Sequence, residues 1–461
     1  MKGIAFEKFL GKTFRGELGQ FFTPRTIVDF MVEILDPQEG EKICDPCCGS
    51  GGFLIKAFEY VRTKIENEIQ KAKEKIKQEY YTEEYNKLSD EEKEKIDEKV
   101  NDLFAKLNAE LDINNPKSRV RTLSFDCIYG TDANPRMART AKMNMIMHGD
   151  GHGGVHHNDG LLNTNGIFDN RFDIILTNPP FGSRIEKSLK ITEADKYKDQ
   201  EKIEIYTKRY GQEYTKALNQ INQNIGKPIL SLYKTGTMST LTEVLFMERC
   251  LNLLKPGGRM GIVLPEGVLN NTNLQKVRDF MESKAKILLI TSIPQDVFIA
   301  SGATVKPSLL FFKKFTEEES KQWKEIADRA SKTVNEKYKE EIRNITDRLS
   351  TKGNNAPTKE EKKALNNKLK QLKATIQAEI KDIIKSEFNY EIPIAEVERA
   401  GISSTGAEIE NELIPLAEEF RKYAITHRLW ENQFDEITYT ITEDNYIFRM
   451  VAGEPEEFYG K

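Results

Sequence analysis

The sequence predicts an α/β protein with a doubly wound, mainly parallel β-sheet, to which charged helical arms are attached. Two observations lead to this fold class. Short apolar segments bounded by Gly, Pro, Asn and Asp alternate with longer segments of helical periodicity. The apolar segments are also compact, as expected for strands that helices cover on both faces. Ligands of such sheets bind at the carboxyl ends of the strands, near the topological switch point.

Six strands and five helices follow this pattern. The predicted strands are Lys42–Asp45, Ser124–Gly130, Phe172–Thr177, Arg259–Leu264, Ile287–Ser292 and Ser308–Lys313. The predicted helices are Pro24–Leu35, Phe53–Val61, Pro135–Met147, Leu241–Leu254 and Gln275–Ser283. The loops that follow the strands are therefore where we expect the chemistry to take place.

Polar residues are concentrated in three stretches, 64–117, 185–234 and 316–385. In the first and third, Glu, Lys, Leu and Ile recur at helical intervals, which predicts solvated helical hairpins. The second mixes tyrosines with lysines, a composition that suits either a nucleic-acid strand or a mobile loop. We divide the chain into a short N-terminal segment, a sheet domain, a helical arm and a C-terminal extension, with these bounds: 1–23, 24–315 (with insertions 62–118 and 185–236), 316–388 and 389–461.

Composition excludes several classes of protein. The chain has 461 residues, and 69 Lys and Arg against 73 Asp and Glu give a net charge of −4, so a stand-alone nucleic-acid binder is not expected. No apolar run approaches the length of a membrane span, and the first ten residues lack a signal-peptide core. The five cysteines are odd in number and three are clustered, which is no disulfide framework. We expect a reducing, cytoplasmic setting.

A glycine-rich turn, Asp45–Gly52, follows the first predicted strand and precedes a helix. Glycines there allow a tight bend and close approach of a ligand to the backbone, and the helix N-terminus adds donors. The turn lacks the Gly-Lys-Ser/Thr ending of a phosphate loop. The spacing of Cys44, Cys47 and Cys48 raises zinc as an alternative, but there is no second cysteine pair, so we predict no metal.

Acidic residues follow the next strand-like segments. Asp132 follows the second predicted strand, the position at which a doubly wound fold binds ribose hydroxyls. The alternative is that Asp132 is an ordinary helix N-cap. Asn158, Asp159 and Gly160 come next along the chain.

The histidine-rich segment 148–157 could be read as a metal site, but no helix spacing supports one, and we interpret it as a loop.

The most specific motif, Asn178-Pro179-Pro180-Phe181, directly follows a predicted strand. The two prolines restrict the backbone so that carbonyl groups point into the site. The Asn178 side-chain oxygen and the Pro179 carbonyl can then accept both hydrogens of an amino group, while Phe181 offers a surface for stacking a planar base. An Asn-Pro turn without function is the alternative.

These motifs resemble those of amino-group DNA adenine-N6 methyltransferases, and most of all the modification (methylase) subunit of type I restriction–modification systems. The elements that carry the resemblance are Gly19–Arg25, Asp45–Gly52, Asp132, Asn158–Gly160, Asn178–Phe181, Leu253–Leu269, Ser292–Phe312 and Tyr390–Gly406. Their order is that of the gamma group. The resemblance implies a Rossmann-like fold and S-adenosylmethionine as cofactor.

The resemblance also implies roles for single residues. The implied cofactor-binding residues are Phe22, Thr23, Asp45, Cys47, Gly49, Ser50, Gly51, Asp132, Ala133, Asn158, Asp159 and Asn178. Among them Thr23, expected at the N-cap of the first helix, and the glycine turn would hold the methionine part. Asp132 would bind the ribose, and Asp159 the adenine amino group. The implied catalytic residues, which hold and stack the target base after it leaves the duplex, are Asn178, Pro179, Pro180 and Phe181.

The implied partners are double-stranded DNA, a specificity subunit and, in a larger complex, a restriction subunit; no membrane and no metal is implied. The sequence departs from the family in having Cys48 beside Cys47 and only a short segment, 1–23, where a helical domain is usual. Three alternatives stay open: the methylase part of a single-chain restriction–modification enzyme, a methyltransferase acting on a protein glutamine or another amine, and a non-catalytic scaffold.

Overall fold

The computed structural model describes residues 22–150, 154–196, 198–299, 305–352, 356–430, 437–441 and 447–451. Two compact units are present: the chain up to Lys314 together with the chain from Ile394 onward, and the segment Phe315–Pro393. The predicted N-terminal segment lies almost wholly outside the described residues, as do parts of the histidine-rich segment and of the C-terminal extension.

The strands are β1 (Ile43–Asp45), β2 (Ile128–Asp132), β3 (Val155–His157), β4 (Phe172–Thr177), β5 (Leu254–Pro265), β6 (Ala285–Ser292), β7 (Pro307–Lys314), β8 (Ile394–Glu396), β9 (Ala400–Ile402), β10 (Glu408–Asn411), β11 (Ile437–Ile441) and β12 (Ile447–Val451). The α-helices are α1 (Arg25–Leu35), α2 (Gly52–Tyr80), α3 (Asp90–Ala109), α4 (Arg119–Thr122), α5 (Pro135–Met147), α6 (Gln200–Asn222), α7 (Thr242–Leu253), α8 (Gly267–Asn270), α9 (Gln275–Glu282), α10 (Asp296–Ile299), α11 (Glu317–Ser350), α12 (Lys359–Glu387) and α13 (Leu413–His427). Single turns of 3-10 or π type are Tyr85–Lys87, Leu123–Cys127, Ile229–Leu232, Thr235–Thr237 and Thr272–Leu274.

The main sheet has eight strands in the order β3-β2-β1-β4-β5-β7-β6-β8. Strand β1 pairs in parallel with β2 on one side and with β4 on the other, so the connections reverse direction across the sheet at β1. Strand β7 is antiparallel to both of its neighbours, β5 and β6. The predicted doubly wound, mainly parallel sheet is therefore confirmed, and its switch point lies between β1 and β4.

One predicted strand begins later than the sequence indicated. Residues 124–127 of the segment Ser124–Gly130 belong to a π-type turn, and β2 starts at Ile128. The buried Ser124 hydroxyl donates to the Asp150 carboxylate at 2.9 Å, so this polar side chain is satisfied locally. The short strands β3 and β8, which lie at the two edges of the sheet, were not predicted.

The first charged arm is only partly solvated. Helix α2 continues from the glycine turn through Tyr80, and its Ile65, Ile69 and Ile76 are buried. Helix α3 buries Leu103 and Leu107 in the same core cluster. Burial of one apolar stripe, rather than charge pairs alone, therefore holds this hairpin to the sheet domain.

The insertion after β4 contains helix α6, whose tyrosines pack on the protein. Tyr210 and Tyr214 form a cluster with Phe168, and the Arg171 guanidinium lies 4.5 Å from the centre of the Tyr210 ring. These rings are packing elements of a helix, so they do not form an open platform for a nucleic-acid strand. Tyr197 lies outside the described residues.

The segment Phe315–Pro393 forms a hairpin of the two long helices α11 and α12. Val334, Ile345, Leu372 and Ile376 form its buried core. Thr316 and Thr358 each begin a helix with a capping box. No helix in the described part of the chain is long and apolar enough to cross a membrane.

Candidate functional site

A cleft of about 620 Å³ opens at the carboxyl ends of β1, β2 and β4. This volume suits a ligand of nucleoside size, since small-molecule sites usually measure about 300–1,000 Å³. The segments Gly19–Arg25, Asp45–Gly52, Asn158–Gly160 and Asn178–Phe181 and the residue Asp132 all contribute to its lining. The predicted site residues that line the cleft are Phe22, Cys47, Gly49, Asp132, Ala133, Asp159, Asn178 and Pro180. Parallel pairing explains the convergence, because it brings the loops after β1, β2 and β4 to one edge of the sheet.

The other predicted site residues are not among the described residues that line the cleft: Thr23, Asp45, Ser50, Gly51, Asn158, Pro179 and Phe181. Two of them, Thr23 and Asp45, hydrogen-bond to the lining residues Asn178 and Cys47. Thr23 precedes Pro24, the N-cap residue of α1, and no side chain caps this helix. The expected N-cap role of Thr23 is therefore wrong, because Pro24 occupies that position.

The glycine turn bends sharply against helix α5. Gly49 and Gly51 have φ of 52° and 88°, the left-handed region that favours glycine. A Cβ at Gly51 would lie 3.4 Å from the Ala141 side chain of α5. The buried Asn144 amide donates to the Ser50 carbonyl at 2.9 Å, which ties the turn to the same helix. These two contacts hold the turn against helix α5.

Asp45 is only 1% exposed and organises the base of the cleft. Its Oδ1 accepts from the Cys47 N–H at 3.0 Å and from the Thr177 hydroxyl at 2.7 Å. The Cys47 sulfur lies 2.8 Å from the same hydroxyl. Burial raises the pKa of Asp45 to about 7, against its ordinary value of 3.8. This network joins the glycine turn to β4 one residue before Asn178.

Asp132 faces the cleft while holding both adjoining turns. Its Oδ2 accepts from the Gly49 N–H at 3.0 Å and its Oδ1 accepts from the Asn134 N–H at 2.8 Å. Burial raises the pKa of Asp132 despite these bonds. A carboxylate has about four lone-pair sites, so each oxygen can accept a further hydrogen bond from a ligand.

Asp159 projects from the loop between β3 and β4. Its Oδ1 accepts from the Leu161 N–H at 2.9 Å, and burial raises the pKa of its carboxyl group. The next residue, Gly160, presses on the glycine turn, since a Cβ there would overlap the Pro46 carbonyl oxygen. Only glycine fits this contact, so the two loops meet backbone to backbone.

Asn178 has its amide orientation fixed by a residue far away in the chain. Its Nδ2 donates to the Thr23 hydroxyl oxygen at 3.0 Å. With the amide nitrogen engaged there, the side-chain oxygen is the group left to accept hydrogen bonds from a ligand in the cleft. Thr23, implied to bind the cofactor, thus contacts the implied catalytic residue.

The turn after Phe181 is fixed by a buried carboxylate. The Gly182 N–H donates to Glu243 of helix α7, with the two oxygens at 3.3 and 3.2 Å. Glu243 is 3% exposed, and burial raises its pKa. The Phe181 ring is partly exposed and lies 6.5 Å from the Phe298 ring, centre to centre.

The cysteines near the turn are not poised for nucleophilic chemistry. Burial raises the pKa of both Cys47 and Cys48 well above the ordinary thiol value. The thiols are therefore protonated at neutral pH, whereas a nucleophile or a metal ligand would be a thiolate.

Several residues that hold the site in place have no role predicted from the sequence. They include Thr177, Glu243, Gly160 and Arg249, whose Nε donates to the Gly160 carbonyl at 2.9 Å. Glu243 and Arg249 carried a usable signal, because they are charges inside an otherwise apolar predicted helix. Thr177 carried none, since a threonine at the end of a strand is ordinary.

Comparison with known proteins agrees with the motifs. Residues 2–96, 113–223 and 210–399 match the family model described as N-6 DNA Methylase. The EcoEI type I restriction enzyme methylase subunit of Escherichia coli is 24% identical over 301 residues, which are 65% of this chain and 43% of that protein. The EcoKI methylase subunit of Escherichia coli K12 is 25% identical over 318 residues, 67% of this chain and 43% of that protein.

The solved structure of the EcoKI M protein has 21% identity and a TM-score of 0.41 over 66% of this chain and 46% of that one. The chain spans less than half the length of the curated methylase subunits described above. The family model nevertheless matches more than half of the chain, and the matched residues include the glycine turn and the Asn-Pro-Pro-Phe motif. The chain belongs to the N-6 DNA methylase family.

Proposed function

We propose that this chain is an S-adenosylmethionine-dependent DNA adenine-N6 methyltransferase, and the methylase subunit of a type I restriction–modification system. One observation carries the proposal: Asn178 faces the same cleft as Asp132 and Asp159, with its amide oriented by Thr23. One cavity thereby combines Asn178, which can accept hydrogen bonds from an amino group, with two carboxylates that can bind a nucleoside. Family membership adds DNA adenine as the substrate class.

The residues of the cleft fit S-adenosylmethionine. Asp132 and Asp159 line the cleft, and each carboxyl group keeps lone pairs that can accept hydrogen bonds from the hydroxyl and amino groups of a nucleoside. The absence of a side chain at Gly49 leaves room for a ligand. The absence of one at Gly160 lets its loop approach the glycine turn. Asp132 would accept from the ribose hydroxyls, Asp159 from the adenine amino group, and the glycine turn would adjoin the methionine part.

The protein contributes to the reaction by positioning the reacting groups. When bound, S-adenosylmethionine would supply a methyl group on a positively charged sulfur, and S-adenosylhomocysteine would be the product left after transfer to the adenine amine. Asn178 and the Pro179 carbonyl would accept from the two amine hydrogens, which would hold the target amine in place and leave its nitrogen lone pair available. Phe181 stacks on the flipped base. The surplus amine proton leaves to solvent, so no side chain is needed as a base.

The partners belong to the same proposal. A net charge of −4 gives the chain no general attraction to the DNA backbone, where each neutralised phosphate contributes to affinity. We therefore infer that double-stranded DNA is held and read by a specificity subunit, with a restriction subunit in the complete enzyme. The curated relatives are named as type I methylase subunits, which supports this assignment.

Two measurements test the proposal. Calorimetry with S-adenosylhomocysteine should show binding to the purified full chain, and no binding would contradict the cofactor assignment. Single-molecule sequencing of host DNA, with the gene present and deleted, should show N6-methyladenine at one sequence motif that disappears on deletion. An unchanged methylation pattern would contradict the DNA assignment. Transfer of a labelled methyl group from S-adenosylmethionine to a protein would instead point to an amide or amine substrate.

The partner inference has its own test. Fluorescence anisotropy with a duplex that contains the methylated motif should show weak binding by the chain alone at physiological salt. Addition of the specificity subunit should make binding tight and sequence-selective. Tight, selective binding by the chain alone would overturn the partner inference but not the reaction.

A further inference from the structure

Helix α7 is a buried helix that carries charges. Glu243, Glu248 and Arg249 are only 3%, 5% and 2% exposed. A buried charge is costly unless it is well hydrogen-bonded, so each of these side chains should have a defined set of partners. Glu243 holds the turn after Phe181, as described above. Arg249 holds a different part of the site.

Arg249 reaches the loop between β3 and β4 with most of its donors. Its Nε donates to the Gly160 carbonyl at 2.9 Å and its Nη2 donates to the Leu162 carbonyl at 3.0 Å. Its Nη1 donates to Asn163 Oδ1 at 2.8 Å and to Asp169 Oδ1 at 3.0 Å. The planar guanidinium thus bridges two backbone carbonyls and two side chains of one loop.

This loop presents Asp159 to the cleft. The Gly160 carbonyl, held by Arg249, belongs to the residue that follows Asp159, and the Leu162 N–H donates back to the Asp159 carbonyl at 3.0 Å. Gly160 lies against the Pro46 carbonyl on the other side. The loop is therefore clamped between the glycine turn and Arg249, with the direction of the Asp159 carboxylate set by both.

We propose that Arg249 is a positioning residue for the cofactor: it aims Asp159 at the exocyclic amino group of the adenine ring and so makes the cleft selective for an adenosyl ligand. This inference rests on the proposed function, since it deepens the role given to Asp159. Arg249 itself is absent from the lining of the cleft among the described residues and acts through the loop.

Glu248, the neighbouring residue, provides a matched control. Its carboxylate accepts from the Lys234 N–H at 3.0 Å, and from the Thr235 N–H and hydroxyl at 2.8 and 2.7 Å. It is buried on the same helix and also fixes a loop through backbone groups. That loop does not contribute to the described lining of the cleft. Loss of Glu248 should therefore cost stability without changing which ligand is preferred.

The experiment compares two ligands that differ at position 6 of the purine, the group that Asp159 would recognise, and in the N1 proton that accompanies the 6-oxo form. S-adenosylhomocysteine has the 6-amino group, and S-inosylhomocysteine has an oxygen there. Calorimetry gives the Kd of both for the full-length wild type, Arg249→Lys, Arg249→Met, Glu248→Gln and Glu248→Met. Thermal unfolding of each variant identifies those that fold, and Arg249→Lys and Glu248→Gln are the mild pair if the methionine variants do not fold.

The wild type should prefer the adenosyl ligand by about tenfold or more, as expected for a hydrogen bond to a charged acceptor. The Arg249 variants should lose most of this preference, and the Glu248 variants should keep it. A preference unchanged in the folded Arg249 variants, or affinity for both ligands lowered equally, would overturn the inference. A wild type that binds both ligands equally would also overturn it but would leave cofactor use intact. A wild type that binds neither would instead refute the proposed function.

Discussion

The two halves of the cleft are held in place in different ways. On the cofactor half, the carboxylates of Asp132 and Asp159 accept from backbone N–H groups of the adjoining turns. On the acceptor half, Asn178 bonds to Thr23, which is 155 positions away, and Gly182 bonds to Glu243, 61 positions away. On the first half, backbone N–H groups hold the carboxylates that face the ligand, and Arg249 in addition holds the loop that carries Asp159. On the second half, side chains of remote elements hold the residues of the site.

This difference indicates that the halves can be perturbed separately. Backbone donors remain when a carboxylate is removed, so a loss on the cofactor half should appear mainly in ligand affinity. Loss of a remote side chain on the acceptor half leaves the cofactor turns intact and should appear mainly in the rate. A substitution that changes the ligand affinity and the methylation rate equally would contradict this separation.

The largest effect is expected for Asn178→Ala. Removal of the amide takes away the oxygen that orients the target amine, and misplacement of reacting groups costs about a hundredfold or more in rate. The Kd for S-adenosylhomocysteine should change less than about threefold, because the carboxylates of the other half are untouched. Complementation of a gene-deletion strain, read by single-molecule sequencing, and calorimetry measure the two quantities. Near-normal methylation would refute the role of Asn178.

A loss of affinity is expected for Asp132→Ala. This substitution removes the acceptor for the ribose hydroxyls and also frees the Gly49 N–H, so the Kd should rise about tenfold to a hundredfold. Asp173→Ala is a suitable comparison, because that carboxylate accepts from the Lys42 N–H at 2.8 Å outside the cleft. Calorimetry with S-adenosylhomocysteine gives both values. Equal losses of affinity in the two variants would show that the substitutions act through the fold and not through the ribose contact.

The position of the cleft could be predicted from the sequence. The glycine turn after β1 and the Asn-Pro-Pro-Phe motif after β4 both follow apolar segments bounded by turn residues, and β1 and β4 are neighbours in parallel. Once the sheet is parallel, strand ends must meet at one edge. Local pattern and topology therefore suffice to bring Asn178 near Asp45 and Asp132.

The support of the cleft could not be predicted in the same way. Thr23, Glu243 and Arg249 act through hydrogen bonds across long sequence separations, and no periodic pattern encodes such contacts. The role of Thr23 shows this well, because its place beside the first helix predicted an N-cap. The fold instead brings its hydroxyl to Asn178, since Pro24 occupies the capping position.

A smaller effect is expected for Thr23→Val, which keeps the shape of the side chain and removes the acceptor. The Asn178 amide loses one hydrogen bond, so the methylation rate should fall about tenfold. The Kd for S-adenosylhomocysteine should stay close to that of the wild type, and Thr23→Ser should restore the rate because it keeps the hydroxyl. If Thr23→Val weakens cofactor binding and spares the rate, Thr23 belongs to the cofactor half, as the family resemblance implies.

The smallest effect concerns Asp45, which lies where the two halves join. Its pKa is about 7 in the folded protein, against an ordinary value of 3.8. The folded state therefore binds more protons than the unfolded state, and this stabilisation, complete below pH 3.8, is lost as pH rises through 7. Between pH 6 and pH 8 the loss amounts to about 1 kcal/mol of unfolding free energy.

Asp45→Asn keeps an oxygen that can accept from Cys47 and Thr177 but cannot ionise. Urea unfolding at pH 6, 7 and 8 should show a smaller fall in stability with pH than in the wild type, whereas exposed Asp328→Asn should keep the wild-type slope. Some slope should remain in Asp45→Asn, because burial also raises the pKa of Asp132 and Asp159, and these contribute with the same sign. Parallel curves for Asp45→Asn and the wild type would show that Asp45 is already ionised at pH 6. The junction of the two halves would then carry a negative charge that only its hydrogen bonds stabilise.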